Sequence, residues 1–303
     1  MYYITENDVH ENLGMRETID ILEEAFTDYS NGNSFVKPRE RIIFDGTVFN
    51  TMPGVFGKRH LAGLKTYIAN KDRARFVVMV FDTQKNELLA VIEADRLGQV
   101  RTGALPAMVT RRLVSGKKQS LCIIGSGFQA ETQLEGILSA FDVDEISVYS
   151  RTFHNARKFS ETMSAKFGVN IKAFDNVKSA LKNATIVNSI TDANSAVFTR
   201  SELGDEYHVN LCGGNLPMRR EAAEDVLVDS DLIVVEDFDQ AMKESGEIIS
   251  LTKNHPEKKC LELKDIMKDG SYSGRKRTVF KSMGVGLEDV AAAYVVMKNM
   301  KIL

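Results

Sequence analysis

Cysteine is scarce in this 303-residue chain: Cys122, Cys212 and Cys260 are odd in number and fall in no metal-ligand spacing. A disulfide scaffold is excluded, and free thiols acting as small buried hydrophobes in a reducing compartment are expected. The five histidines, His10, His60, His154, His208 and His255, are scattered, so no metal site is expected. No stretch of 18 consecutive apolar residues occurs, and the opening MYYITENDVHENLG lacks a basic segment followed by an apolar run. Neither a membrane span nor a secretory signal is expected, which points to the cytoplasm. An excess of one charge is missing too. With 39 basic and 42 acidic side chains the net charge is −3, which gives no broad attraction to nucleic acid or an anionic membrane. Neither a G-x-S-x-G elbow nor a P-loop lysine is present. The run Arg275-Lys276-Arg277 is short and reads as a solvated loop.

What is present describes an ordinary globular protein, 43% hydrophobic and 27% charged, long enough for two domains. Met15 to Tyr29 has the apolar spacing of an amphipathic helix and ends at Asn31-Gly32-Asn33. Short strand-like runs between Val36 and Glu93, at 41–44, 63–68, 76–81 and 88–92, read as one sheet, and 82–87 suits a hairpin. Thr102 to Leu113 reads as a helix with Pro106 in its first turn. From Lys117 the pattern becomes strand and helix in alternation, the signature of a parallel sheet covered on both faces. The apolar helix Leu287 to Met300 is expected to pack back on the first domain.

The strand Ser120 to Ile124 runs into Gly125-Ser126-Gly127-Phe128-Gln129-Ala130 and then a helix. Gly125 suits the tight turn, Gly127 a close backbone approach to pyrophosphate, and Ala130 tight helix–strand packing. The helix N-terminus offers free N–H groups to phosphate. The next strand ends in Tyr149-Ser150-Arg151-Thr152, without the carboxylate that holds the ribose hydroxyls of NAD. Arg151, with the hydroxyls of Ser150 and Thr152, favours NADP(H), with NAD(H) possible.

Three segments together resemble the ornithine cyclodeaminase and mu-crystallin family, which includes archaeal alanine dehydrogenases and ketimine reductases. They are Arg101-Thr102-Gly103-Ala104, the glycine turn at 125–130, and Lys281-Ser282-Met283-Gly284 through Glu288-Asp289. The resemblance implies an α/β fold: a Rossmann doubly wound parallel sheet domain (117–280) inserted in an α+β substrate-binding and dimerisation domain (1–116 with 281–303), assembled as a homodimer. It implies that Arg101, Lys65 and either Arg39 or Arg41 bind a substrate carboxylate, that Thr102 lies between substrate and cofactor, and that Thr191 also contacts the cofactor. A guanidinium grips a carboxylate bidentately, while a lysine can also exchange a proton.

One departure bears on the reaction. Where cyclodeaminases and archaeal alanine dehydrogenases carry an Asp, this chain has Asn215, which can orient a substrate but cannot accept a proton at neutral pH. The mu-crystallin branch also lacks that Asp. The expectation is NAD(P)H-dependent reduction of a small α-imino acid, either a cyclic ketimine such as pyrroline-2-carboxylate or the imine of a 2-oxo acid and ammonia. In that reading Lys65 and Asn215 serve the reacting nitrogen. The alternatives are ornithine cyclodeaminase and a low-activity crystallin-like protein that binds NADP and a ligand. The substrate pocket is expected to be walled by loops 51–60 and 191–197.

Overall fold

The computed structural model describes residues 1–116, 118–268 and 270–303, so the expected domain border at Lys117 lies outside the described residues. Contacts divide the chain into two compact units, Met1–Leu105 with Gly284–Leu303, and Pro106–Met283.

The first unit is built on seven strands: β1 (Tyr2–Ile4), β2 (Phe35–Val36), β3 (Glu40–Phe44), β4 (Thr47–Phe56), β5 (Leu61–Ala69), β6 (Ala74–Asp82) and β7 (Glu87–Glu93). They form a single sheet in the order β1-β7-β6-β5-β4-β2, with β3 also on β4. Only β1 and β7 pair in parallel. The expected hairpin at 82–87 closes with Asp82 opposite Glu87. The expected loop 51–60 is a correction: Thr51 to Phe56 belongs to β4, followed by a single 3-10 turn at Gly57–Arg59. Pro53 and Gly54 hide this strand from sequence reading. Pro53 is tolerated because the outer ladder is interrupted there: β3 pairs up to Thr51 and β2 resumes at Gly54.

Helices α1 (Glu6–Asn12) and α2 (Met15–Ser30) lie between β1 and β2, and α3 (Asp95–Leu113) follows β7. Pro106 lies in the interior of α3, not in its first turn as expected. The helix starts seven residues earlier because its cap is remote: the Glu6 carboxylate accepts from the N–H groups of Asp95 (2.5 Å) and Arg96 (3.0 Å). Arg101 and Thr102 therefore stand on a formed helix, where the Thr102 hydroxyl donates to Gly98 O at 2.7 Å.

The second unit alternates strand and helix: β8 (Lys118–Ile124), α4 (Ala130–Ala140), β9 (Asp142–Tyr149), α5 (Phe153–Phe167), β10 (Ile171–Phe174), α6 (Val177–Leu181), β11 (Ile186–Ser189) and β12 (Tyr207–Leu211). Then come α7 (Glu224–Asp229), β13 (Leu232–Val235), α8 (Phe238–Glu244), α9 (Gly246–Asn254), β14 (Cys260–Glu262), α10 (Leu263–Lys268) and β15 (Arg277–Lys281). All eight strands are parallel, in the order β10-β9-β8-β11-β12-β15-β13-β14. Every residue of β11, β12 and β13 is buried, as expected of strands covered on both faces. The order in which strands are added reverses at β8, with β9 on one side and β11 on the other, which is the switch point where doubly wound sheets bind ligands.

Two smaller expectations are corrected here. Arg275 and Lys276 are exposed in a loop, as expected, whereas Arg277 is the first residue of β15 and pairs with Asp229 (3.0 Å) and Asp231 (3.2 Å); Lys276 pairs with Glu206 (3.1 Å). Only Cys122 is fully buried; Cys212 and Cys260 are half-buried. Among the described residues, no helix is long and apolar enough to cross a membrane.

The last helix, α11 (Gly286–Asn299), returns to the first unit and packs on α2, β4 and β5, as expected. Its N-terminus lies directly on β4. A Cβ on Gly54 would sit 2.4 Å from Leu287 N, and one on Gly286 would sit 2.3 Å from Met52 O. Two facing glycines thus permit a backbone-to-backbone approach that any side chain would block. This approach sets the first turn of α11 opposite β5.

Candidate active site

In the first unit the approach of α11 to the sheet brings five charged side chains together in the interior. Lys65 projects from β5, Arg101 from α3, Arg39 from the segment between β2 and β3, and Glu288 and Asp289 from the first turn of α11. Asp289 and Glu288 are 0% exposed, Lys65 2%, and Arg39 and Arg101 8% each. Lys65 Nζ donates to Asp289 Oδ1 at 2.9 Å, and Arg101 Nε lies 3.1 Å from the same oxygen. A second guanidinium nitrogen of Arg101 donates to Glu288 Oε2 at 2.7 Å, and the other Glu288 oxygen accepts from Val285 N–H at 2.7 Å. A terminal Arg39 nitrogen lies 3.5 Å from Gly284 O.

Burial taxes each of these charges. It pushes the Lys65 ammonium down to about 8, with the Arg101 and Arg39 charges acting in the same direction and Asp289 opposing. Burial also raises the Glu288 carboxyl, with Arg101 opposing and Asp289 adding to the rise. Three cationic side chains and two carboxylates thus share one buried place. Arg41 is elsewhere in its bonding: it sits half-buried on β3, and its Nε donates to Asn50 Oδ1 at 3.1 Å.

In the second unit a cavity of about 870 Å³ opens at the switch point. Gly125, Ser126, Gly127, Phe128, Gln129, Ser150, Arg151, Thr152 and Thr191 all line it, so these expected dinucleotide contacts converge on one cavity, whereas Thr102, also expected at the cofactor, does not line it. Residues 191–197, expected to wall the substrate pocket, form one wall of this cavity. Gly125 has φ +108°, and a Cβ there would meet Ile190 O at 2.5 Å. A Cβ on Gly127 would meet no protein atom within 4 Å, so its absence leaves room for a ligand and not for protein packing. Ser126 Oγ donates to Ser150 Oγ at 3.0 Å, tying the glycine turn to the end of β9. No side chain caps α4, whose first N–H groups follow this turn. The cavity fits a dinucleotide in shape and in donor chemistry.

Asn215 lies half-buried in the loop between β12 and α7 and does not line this cavity. Sequence reading missed four groups. Arg219 and Asn155 line the cavity, the first as another guanidinium besides Arg151. Glu288 and Asp289 hold the basic cluster; they stand in one of the segments that carry the resemblance, but the sequence suggested no role for them.

Residues 2–302 match the ornithine cyclodeaminase/mu-crystallin family. The chain belongs to that family. The Delta(1)-pyrroline-2-carboxylate reductase of Bacillus cereus is 28% identical to this family member over 308 residues, covering 97% of this chain and 94% of the reductase. The ketimine reductase mu-crystallin of Macropus fuliginosus is 29% identical over 220 residues, 72% of this chain and 67% of the crystallin. The structure of Thermococcus litoralis Delta(1)-pyrroline-2-carboxylate reductase in complex with NADH and L-proline superposes with a TM-score of 0.90 at 26% identity, covering 99% of this chain and 98% of the other.

Proposed function

We propose that the protein is an NAD(P)H-dependent oxidoreductase that reduces a small α-imino acid to the amino acid, with a cyclic ketimine such as pyrroline-2-carboxylate as substrate and NADP(H) as the preferred cofactor. The observation that carries this reading is the buried cluster of Arg39, Lys65 and Arg101 around Glu288 and Asp289, which gathers three cationic side chains in one place suited to a substrate carboxylate. The dinucleotide supplies the hydride for the C=N carbon. Gly125, Gly127 and the N-terminus of α4 would hold its pyrophosphate, and Arg151, Ser150 and Thr152 the 2′-phosphate.

On the protein side the chemistry is modest. Arg101 and Arg39 grip the carboxylate, and their geometry is fixed beforehand by Glu288 and Gly284. The Lys65 ammonium, brought down to about 8, is acidic enough to donate a proton toward the imine nitrogen and still charged near neutrality. A protonated imine is already electrophilic, so the step needs no strong base, which accords with Asn215 in place of an Asp.

A second copy of the chain is part of this proposal. Ile42, Phe49 and Ile68 are direct cross-strand neighbours on the sheet face opposite to that bearing Met52 and Lys65, and they are 61%, 38% and 48% exposed. Such an apolar row supports the homodimer reading.

The test is parallel NADPH and NADH consumption with pyrroline-2-carboxylate, with ornithine plus NAD as the control. Rapid NADPH loss and an inert ornithine control are expected. Proline and ammonia from ornithine, with no cofactor loss on the imine, would overturn the reading.

A further inference from the structure

Beneath the cavity of the second unit lies a charge cluster that the mechanism above does not use. Glu221, Glu247 and Lys281 are each buried, at 0%, 4% and 0% exposure. One Glu221 oxygen accepts from Thr191 N–H (2.7 Å), Ser189 Oγ (2.7 Å) and Thr191 Oγ1 (3.2 Å). The other accepts from Gly213 N–H at 2.7 Å. The carboxylate therefore bridges the C-terminal ends of β11 and β12, and both Thr191 and Gly213 line the cavity. The main chain of the same residue continues the stitching: Glu221 O accepts from Val197 N–H at 2.8 Å, and Arg220 N–H donates to Ala193 O at 3.0 Å. Both ends of the wall 191–197 thus end on Glu221.

We propose that Glu221 is a positioning residue for the dinucleotide: its ionised carboxylate fixes Thr191, Gly213 and the cavity wall, and Lys281 and Glu247 set whether it is ionised. This rests on reading the cavity as a dinucleotide site.

The physical argument is one of acceptor count. Five donors, those above and Gly214 N–H at 3.4 Å, converge on two oxygens, and a protonated carboxyl would turn one acceptor into a donor facing N–H and O–H groups. Burial works toward that failure by raising the Glu221 carboxyl, and Glu247 on α9 adds to the rise. Lys281 on β15 opposes it, with Nζ 3.9 Å from Glu221 and 3.5 Å from Glu247. Glu247 also accepts from Glu221 N–H at 2.8 Å and from Ser245 Oγ at 3.0 Å. The two neighbouring charges therefore pull the ionisation of Glu221 in opposite directions.

The test is calorimetric titration with NADP⁺, which survives acid, from pH 8 down to the lowest pH at which the protein stays folded. Titration of the ligand's own 2′-phosphate is common to all proteins and cancels in the comparison. Glu221→Gln is expected to weaken NADP⁺ about tenfold at neutral pH. Lys281→Met is expected to move the acid loss of affinity to higher pH, and Glu247→Gln to move it to lower pH. A purely structural cluster would change melting temperature without displacing the two profiles in opposite directions. If Glu221→Gln does not fold, the other two variants decide the matter. Wild-type binding with undisplaced or co-displaced profiles overturns this inference alone, whereas a wild type that binds no NADP⁺ or NADPH at any pH removes the dinucleotide reading and this inference with it.

Discussion

Replacing Asp289 by Asn tests the electrostatics of the basic cluster most sharply, because one oxygen serves two cations. Asp289 Oδ1 accepts from Lys65 Nζ at 2.9 Å and lies 3.1 Å from Arg101 Nε. Asp289→Asn removes one negative charge from beside both cations. Opposite unit charges some 4 Å apart in an effective dielectric of about 20 attract by about 4 kcal/mol, close to three pKa units at about 1.4 kcal/mol each. The introduced amide oxygen still accepts from Nζ and recovers part of this, so Lys65 should fall by roughly one to two units below its already lowered value of about 8. Because Lys65 donates only when protonated, kcat/KM for imine reduction should decline as pH rises through about 8 in the wild type. In Asp289→Asn that declining limb should move to lower pH by one to two units, with a stability cost of about 3 kcal/mol for the broken buried pair. The assay is NADPH oxidation against pH with pyrroline-2-carboxylate, alongside thermal melting. A destabilised but active variant whose limb has not moved would refute the assignment of that limb to Lys65.

Further tests separate the two units. Arg151→Ala should weaken NADPH by tenfold or more while changing NADH by less than about threefold, measured by fluorescence titration of each cofactor; equal losses would remove its role with the 2′-phosphate. Gly127→Ala should keep the wild-type melting temperature yet lose dinucleotide affinity, since a Cβ there meets no protein atom within 4 Å. Gly125→Ala should instead be destabilised by about 2 kcal/mol or more, because φ is +108° and Ile190 O stands 2.5 Å from the added carbon. Phe49→Asp, at the middle of the exposed Ile42, Phe49 and Ile68 row, should sediment as a monomer and the wild type as a dimer; a wild type that is itself monomeric would remove the homodimer reading.

The second unit was legible because its signals are local. Its central strands β11 and β13 are short buried runs, and the turn Gly125 to Ala130 carries its own chemistry between β8 and α4, whereas the three-residue β14 has no such signal. The first unit depends on residues distant in sequence, and reading along the chain failed there. The start of α3 was misplaced because its cap is Glu6, 89 residues upstream of Asp95. β4 was hidden because Pro53 and Gly54, breakers in most strands, fall where the outer ladder is interrupted and where α11 must touch the backbone. Glu288 and Asp289 acquire meaning only beside Arg101 and Lys65, which lie 187 and 224 positions away respectively. Glu221 likewise reads as one acid in a polar loop until β11 and β12 are seen to end on its two oxygens.

The central claim is that hydride passes from a nicotinamide dinucleotide to the imine carbon of a substrate held by its carboxylate. Its most direct test is the fate of a label: incubate the protein with pyrroline-2-carboxylate and NADPH deuterated at the transferring C4 position, then analyse the proline by mass spectrometry. The account predicts one deuterium at Cα, for one C4 hydrogen face and not the other. Proline without deuterium from either labelled face, or no proline while ornithine is converted, would contradict it.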